Sequence, residues 1–287
     1  MIVKELGNAD LFLKEYEETL LENETSSQLL LSAALQCQSN SEDTKDLYGS
    51  VMEDTRVVLL FTIARNRDLI LYSADSLMET EAAVALADYL GDSHIVISGL
   101  NARQTLCQCF IEQYKKYLNG TFIPKLESDI MELRQVNEVK PVNGNQRLAL
   151  PSDVKIIADW IIQFQIEALM DETDYEAAVM KATNMVDQKE LYLYEDEEQQ
   201  VVSMAAATRK LVHGIGITYI FTPEEYRGNG YAAANIYYLS KDLLEQGNEF
   251  CTLFVDKRNP LTNRAYEKVG YKMLEDNCEY KIIPIEV

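Results

Sequence analysis

Residues 215–246 constrain the fold of this chain more than any other segment. Ile215, Ile217, Tyr219 and Phe221 alternate at the two-residue period of a strand, and a helical pattern runs from about Asn229 to Gln246, stopping at Gly247. Between them stands a short turn containing Gly228 and Gly230. A strand that passes through glycines straight into a helix builds an anion site. The first helical N–H groups have no intrahelical partner, and the helix dipole adds partial positive charge where they point. The two glycines remove side chains that would obstruct a phosphate and permit positive φ. Ordinary tight turns also use glycine, so the turn alone leaves both readings open.

The rest of the chain reads as alternating helices and strands, an α/β pattern in which a mixed sheet is flanked by helices. Two helices open it, with apolar positions from Leu11 to Leu21 and from Leu29 to Cys37, followed by a loop over Ser41 to Ser50. Arg56 to Thr62 and Leu69 to Tyr72 predict a hairpin around the turn-like Arg65 to Asp68. Glu79 to Leu90 predicts a helix, His94 to Ile97 a short strand, and Asn101 to Leu118 a second helix. At 287 residues the chain has room for two domains, and the pattern breaks near Phe122-Ile123-Pro124. The expected domains are therefore 1–125 and 126–287. In the second, a strand over Ile130 to Val136 precedes a loop at Asn143-Gly144-Asn145, then a helix capped by Ser152-Asp153 with Val154, Ile157, Ile161 and Phe164 on one face. A helix from Asp174 to Val186 and strands at Leu191 to Tyr194 and Val201 to Ala207 lead to the turn segment. Strand Cys251 to Val255, helix Leu261 to Val269 and two strands, Tyr271 to Leu274 and Tyr280 to Ile283, complete it. The two halves share the order hairpin, helix, strand, helix, which suggests an ancient duplication.

Charge narrows the functions. With 47 acidic against 26 basic residues the net charge is -21, spread over both expected domains. Such a field opposes nucleic acid and anionic membranes, so neither is an expected partner. Five cysteines without framework spacing suit reduced thiols, and no histidine or third cysteine follows Cys107 and Cys109 at zinc-site spacing, so no metal is expected. The N-terminal residues lack the pattern of an export signal, which makes the cytoplasm the expected location. His94, His213 and Trp160 read as structural residues.

A second pattern lies downstream. Asn259 follows a strand, Tyr266 stands seven residues later, two helical turns away on about the same face, and Gly270-Tyr271 closes the segment. Together with Arg227-Gly228-Asn229-Gly230-Tyr231-Ala232 this resembles the GNAT acetyltransferase superfamily, whose Arg/Gln-x-x-Gly-x-Gly/Ala signature and later Asn, Tyr and Gly-Phe/Tyr residues stand in the same order. The resemblance covers roughly 127–287. Residues 1–125 are expected to be a degenerate, non-catalytic GNAT-like α/β domain.

The resemblance implies an acetyl-CoA site between two splayed parallel strands. Backbone groups of Ile220, Phe221 and Thr222 are expected to pair with the pantetheine arm as a missing strand would. Amides from Arg227, Gly228, Asn229, Gly230, Tyr231 and Ala232 are expected to hold the pyrophosphate, and Asn259 to contact the arm. Glu224 takes the place where the family often has proline, with Pro223 one residue earlier. Tyr266 is the expected catalytic acid, protonating the departing thiolate, while Glu167 and Asp171 are the candidates for a base beside water. The implied function is N-acetyl transfer from acetyl-CoA to a primary amine, small molecule or peptide, by direct attack in a ternary complex. The acidic surface points to a cationic acceptor. A CoA-binding regulatory or scaffold protein without turnover is the alternative. The expected oligomeric state is left open.

Overall fold

The computed structural model describes residues 1–39, 46–63, 68–138, 142–169 and 171–285. Residues 65–67 of the turn expected over Arg65 to Asp68 and residues 41–45 of the expected Ser41 to Ser50 loop lie outside them. By contacts the chain divides into two units, 1–128 with 275–287, and 129–274.

The first unit runs β1 (Ile2–Leu6), α1 (Ala9–Leu21), α2 (Glu24–Ser39), β2 (Leu47–Glu53), β3 (Arg56–Ile63), β4 (Asp68–Ser73), α3 (Glu79–Asp92), β5 (Gly99–Ala102), α4 (Gln104–Tyr114) and the start of β6 (Gly120–Leu133). The second runs through the end of β6, then β7 (Asn145–Leu148), α5 (Val154–Phe164), α6 (Tyr175–Asp187), β8 (Leu191–Glu195), β9 (Val201–Lys210), β10 (Gly214–Phe221), α7 (Tyr231–Glu245), β11 (Phe250–Asp256), α8 (Pro260–Val269) and the start of β12 (Lys272–Pro284). The order of elements from β1 to β6 is thus repeated from β7 to β12.

Among the pairings described, each unit's strands are antiparallel except for one parallel pair. In the first unit β1-β2-β3-β4 are antiparallel, β4 and β5 parallel, and β12 closes the order beside β5. In the second, β7-β8-β9-β10 are antiparallel and β10 and β11 parallel, with β6 next to β11. The central strands bury consecutive residues, Val58 to Ile63 in β3 and Val202 to Ala207 in β9, so each unit's strands are covered on both faces. In the first unit Leu59, Phe61, Leu71 and Leu100 pack on Leu86, Leu90, Leu106 and Phe110 of α3 and α4. In the second, Ile217, Leu253 and Val255 pack on Ile236, Leu239 and Leu243 of α7, while Leu193, Met204 and Phe221 pack on Ile157, Ile161 and Met185 of α5 and α6.

Several expected elements differ. The strand expected at His94 to Ile97 lies at Gly99–Ala102 instead. Helix α3 continues through Gly91 to Asp92, and the turn that ends it consumes His94, at φ 55°, with Ile95 N–H donating to Leu90 O at 2.9 Å. Asn101 therefore stands inside β5, and the helix expected from it starts at Gln104. Leu47 to Ser50 form β2 and Asn145 opens β7, both read as loop from their polar composition. Asp153 does not cap α5; its carboxylate accepts from Leu150 N–H at 2.7 Å and from Arg147. The two strands expected between Tyr271 and Ile283 are one. Glu275-Asp276-Asn277, turn-like in composition, continues β12, and Asp276 accepts from Gln104 N–H at 3.1 Å. From residue 275 onward this strand belongs to the first unit, because Cys278 to Lys281 pair with Ala102 to Gly99. The expected boundary at 125/126 falls inside β6.

Candidate functional site

Strands β10 and β11 start as a regular parallel pair and then separate. Gly214, Ile215 and Gly216 pair with Phe250, Cys251 and Thr252, and there the pairing stops although β10 runs on to Phe221 and β11 to Asp256. Two register shifts against β9 accompany the fork, and Tyr219 has φ 50°, a left-handed conformation that bulges a strand. Beyond Gly216, β10 stays paired with β9 through Ile217, Thr218 and Phe221, while its pairing with β11 has ended.

At the far end of the gap stands the start of α7. Glu224–Tyr226 form one 3-10 turn, then Gly228 at φ 82° and Gly230 at φ 85° carry the chain round. A Cβ at Gly228 would meet nothing within 4 Å, and one at Gly230 only Val142 Cγ1 at 3.1 Å, so the left-handed backbone and not crowding requires these glycines. Gly230 is the N-cap of α7 and offers no side chain to its first amides. Residues 227–230 are exposed, and Tyr231 and Ala232 half-buried. An exposed helix start whose amides no side chain caps, reached by two positive-φ glycines, fits a pyrophosphate.

The other residues expected to contact the cofactor have mixed surroundings. Phe221 O accepts from Ser203 Oγ at 3.2 Å and Thr222 O from Arg227 Nε at 2.8 Å, so two of the three carbonyls in this stretch already serve side chains; Ile220 is half-buried. Arg227 lies with its guanidinium 5.7 Å from the Phe221 ring centroid and pairs with Glu167. Glu167, one of the two candidates for a base, sits on a π-helical turn, Gln165–Leu169, and its carboxylate is held by that arginine. Asp171 N–H donates to Gln165 O at 3.1 Å. Asn229 Nδ2 donates to Tyr226 O at 3.1 Å, bracing the turn. Asn259 is exposed at the N-cap of α8 with its N–H on Asp256 O at 3.0 Å, and its side chain does not cap the helix.

Tyr266 is buried, 3% exposed, within the core between β11 and α7, its ring 6.2 Å from that of Tyr271. Burial pushes its phenol well above the usual value, so it keeps its proton at neutral pH. Lys257 pairs with Asp129 at 3.6 Å and Arg258 with Asp256, so these cations are tied to carboxylates of their own unit.

Sequence reasoning missed the residues on the α5 and α6 side of the fork. Arg209 is half-buried beside Gly216, with its Cζ 5.2 Å from the Phe254 ring centroid. Thr208 and Thr218 share a hydroxyl hydrogen bond of 2.8 Å. A glycine within a strand pattern was the available signal, since it often marks close approach of another group. Asn235, fully buried on α7, accepts from Gln146 Nε2 at 2.6 Å, while its own Nδ2 has no partner among the described residues.

The equivalent place in the first unit is built differently. β4 and β5 also pair over three residues and then separate. Between β4 and α3, however, no residue has positive φ, Asp75 accepts from Leu77 N–H at 3.0 Å and pairs with Arg56, and Glu79 and Glu81 occupy the first helical turn. With α4 beginning at Gln104, Arg103 takes the N-cap position of Asn259, and Phe110 stands seven residues on where α8 has Tyr266.

Comparison with known proteins agrees with this geometry. Residues 155–271 match the sequence profile described as the acetyltransferase (GNAT) family. No curated protein matches the chain significantly. Among solved structures, a GCN5-related N-acetyltransferase from Sphaerobacter thermophilus is similar with TM-score 0.60 at 13% identity, over 100% of this chain and 96% of its own. A tandem GNAT protein from the clavulanic acid biosynthesis pathway gives 0.53 at 10% identity, over 97% and 98%. A Drosophila protein gives 0.68 at 11% identity, over 99% of both chains. Residues 155–271 form a domain of the GNAT acetyltransferase family, and the whole chain shares the fold of that tandem GNAT protein.

Proposed function

We propose that the protein is an N-acetyltransferase of the cytoplasm that moves the acetyl group of acetyl-CoA onto a primary amine by direct attack in a ternary complex. The observation that carries this reading is the fork between β10 and β11 ending at the uncapped, two-glycine start of α7. When bound, acetyl-CoA supplies an acyl group activated as its thioester. The amides of Gly228 to Ala232 would hold its phosphates, and Ile220 with its neighbours would offer backbone partners along the gap. Asn259 at the start of α8 would touch the arm.

Tyr266 Oη holds its proton at neutral pH and would donate it to the departing sulfur, so the raised phenol is a donor and never a base. An amine with pKa near 10.4 costs about 4.6 kcal/mol to deprotonate at pH 7. With Glu167 engaged by Arg227, water is the better route for that proton than a carboxylate. A net charge of -21 would draw the ammonium form of the acceptor toward the protein.

One observation favours the rival reading, a CoA-binding regulatory protein without turnover: Tyr266 is packed in the core. Calorimetric titration with acetyl-CoA, followed by incubation with pools of amines and measurement of CoA release and product mass, separates the two. Binding with release supports the transferase, binding without release on any amine supports the rival, and no binding removes both.

A further inference from the structure

The π-helical turn Gln165–Leu169 is tied to both strands of the fork by arginines that lie beyond their ends. Beyond Phe221, where β10 ends, Arg227 Nη2 holds the Glu167 carboxylate, and Nε of the same guanidinium donates to Thr222 O at 2.8 Å. Beyond Asp256, where β11 ends, Arg258 Nη2 donates to Ala168 O at 3.2 Å. The two strands are parallel, so both ends face the same way, and a turn held from both of them lies across the mouth of the fork. Just before it, Phe164 rests on Tyr219, the residue at positive φ in β10, with ring centroids 5.3 Å apart. π-turns are rare and appear mostly inside helices at functional sites.

The two ties differ in kind. Arg258 is itself locked, since Asp256 accepts from its backbone N–H at 2.8 Å and from its Nε at 2.9 Å, and its bond to the π-turn goes to a backbone carbonyl. The side chains of Arg227 and Glu167 are 45% and 46% exposed, so water screens their attraction, which is worth at most about 5-fold in an equilibrium constant. Arg227 also opens the two-glycine turn at the start of α7. A phosphate there would meet the amides of α7 together with the guanidinium, and an arginine can bind it through two charge-assisted hydrogen bonds. Glu167 is the weaker of the two anions that compete for this cation.

We propose that the Glu167–Arg227 pair is a latch opened by the cofactor: Arg227 exchanges the Glu167 carboxylate for a phosphate of acetyl-CoA and keeps its Nε on Thr222 O. The π-turn is then released on the β10 side, while Arg258 retains it on the β11 side. Binding of the phosphates and order in the π-turn thus oppose each other. The released carboxylate faces solvent, so the acceptor's proton still leaves through water. The latch rests on a CoA-type cofactor reaching the α7 turn, which the transferase reading and its rival both require, and not on turnover.

The test follows hydrogen exchange of the amides at 165–169 by mass spectrometry on the full chain, alone and with acetyl-CoA or S-acetylpantetheine, which shares the thioester arm but has no phosphate. Acetyl-CoA should speed exchange there by about 2- to 5-fold, the worth of the latch, and S-acetylpantetheine should leave it unchanged. In E167Q the faster exchange should be present without ligand and should not respond to acetyl-CoA. Calorimetric titration should show that E167Q binds acetyl-CoA about 2- to 5-fold tighter than the parent, because the competing carboxylate is gone. R227M should share the faster exchange but bind acetyl-CoA about 10-fold or more weakly. Three results overturn the latch and leave the transferase reading in place: unchanged or slower exchange at 165–169 with acetyl-CoA bound, an equal response to S-acetylpantetheine, or parental acetyl-CoA affinity in E167Q. No binding of acetyl-CoA to the parent overturns both.

Discussion

Replacing Gly230 by glutamate tests the phosphate cradle most directly, and its two effects can be separated. At φ 85° any side chain is strained, and the new Cβ would meet Val142 Cγ1 at 3.1 Å. A non-glycine residue in the left-handed region costs about 1–2 kcal/mol, which in a chain of this size lowers Tm by about 2–8 °C. The new carboxylate would also stand roughly 5 Å from a bound phosphate. Across an effective dielectric between water and protein surface that repulsion is about 1–3 kcal/mol per charge, or about 5- to 200-fold in affinity. Acetyl-CoA at a hundred times its Kd stabilises the parent by about 2.7 kcal/mol. Most of the resulting thermal shift should vanish in Gly230→Glu. Gly247→Glu is the control: it stands at φ 104° beyond the other end of the same helix, with nothing within 4 Å of its Cβ, so it carries the strain without approaching the cradle. The assay is differential scanning calorimetry with and without acetyl-CoA, backed by isothermal titration. A folded Gly230→Glu protein that keeps the parent's affinity would refute the assignment of the turn to phosphate.

Further outcomes follow from the same geometry. Tyr266→Phe should lower kcat by about 100-fold with acetyl-CoA affinity intact, as loss of a proton donor requires; near-normal turnover would leave Tyr266 a core residue only. One equivalent of acetyl-CoA should bind per chain, because Asp75, Glu79 and Phe110 stand where the second unit has its glycines and Tyr266; a stoichiometry of two in titration would contradict this. Rising salt should raise KM for the acceptor and leave KM for acetyl-CoA flat or lower, since the surface field attracts the ammonium and opposes the phosphates; a salt-independent acceptor KM would show the field has no part in capture. Burial holds Tyr72 and Tyr194 at about 12 and Tyr266 and Tyr271 higher, whereas an unfolded tyrosine titrates near 10. The unfolded chain thus releases protons first, and stability present below pH 10 should be lost as pH rises from about 10 toward 12. Urea midpoints against pH, with phenolate absorbance as a second readout, check this; tyrosines that all ionise near pH 10 in the native protein would refute it.

Much of this was legible because local chemistry decides it. Alternation from Ile215 to Phe221, glycines at positive φ and an amphipathic helix are short-range signals, and the structure follows them within two residues at α7. Asp174 accepting from Ala177 N–H at 2.8 Å is likewise an N-cap readable from its own neighbourhood. What failed depended on distant partners. Gly99–Ala102 has little strand character, and it is a strand because β4 and β12 flank it. Glu275 to Asn277 read as a turn until Gln104 N–H meets the Asp276 carboxylate and the strand runs on into Cys278, which pairs with Ala102. Arg209 was unremarkable in the sequence for the same reason, since its packing depends on a glycine one strand away and a phenylalanine two strands away.

The last strand also sets an order of assembly. Cys278 to Lys281 complete the sheet of the first unit beside β5, 176 residues after Ala102, so a nascent chain that has emerged as far as β6 holds an unfinished sheet with an open, hydrogen-bonding edge. The half synthesised first is therefore the half that closes last. During translation the exposed edge of β5 would be a pairing site for other chains, and cutting between residues 128 and 129 would not yield two self-sufficient fragments.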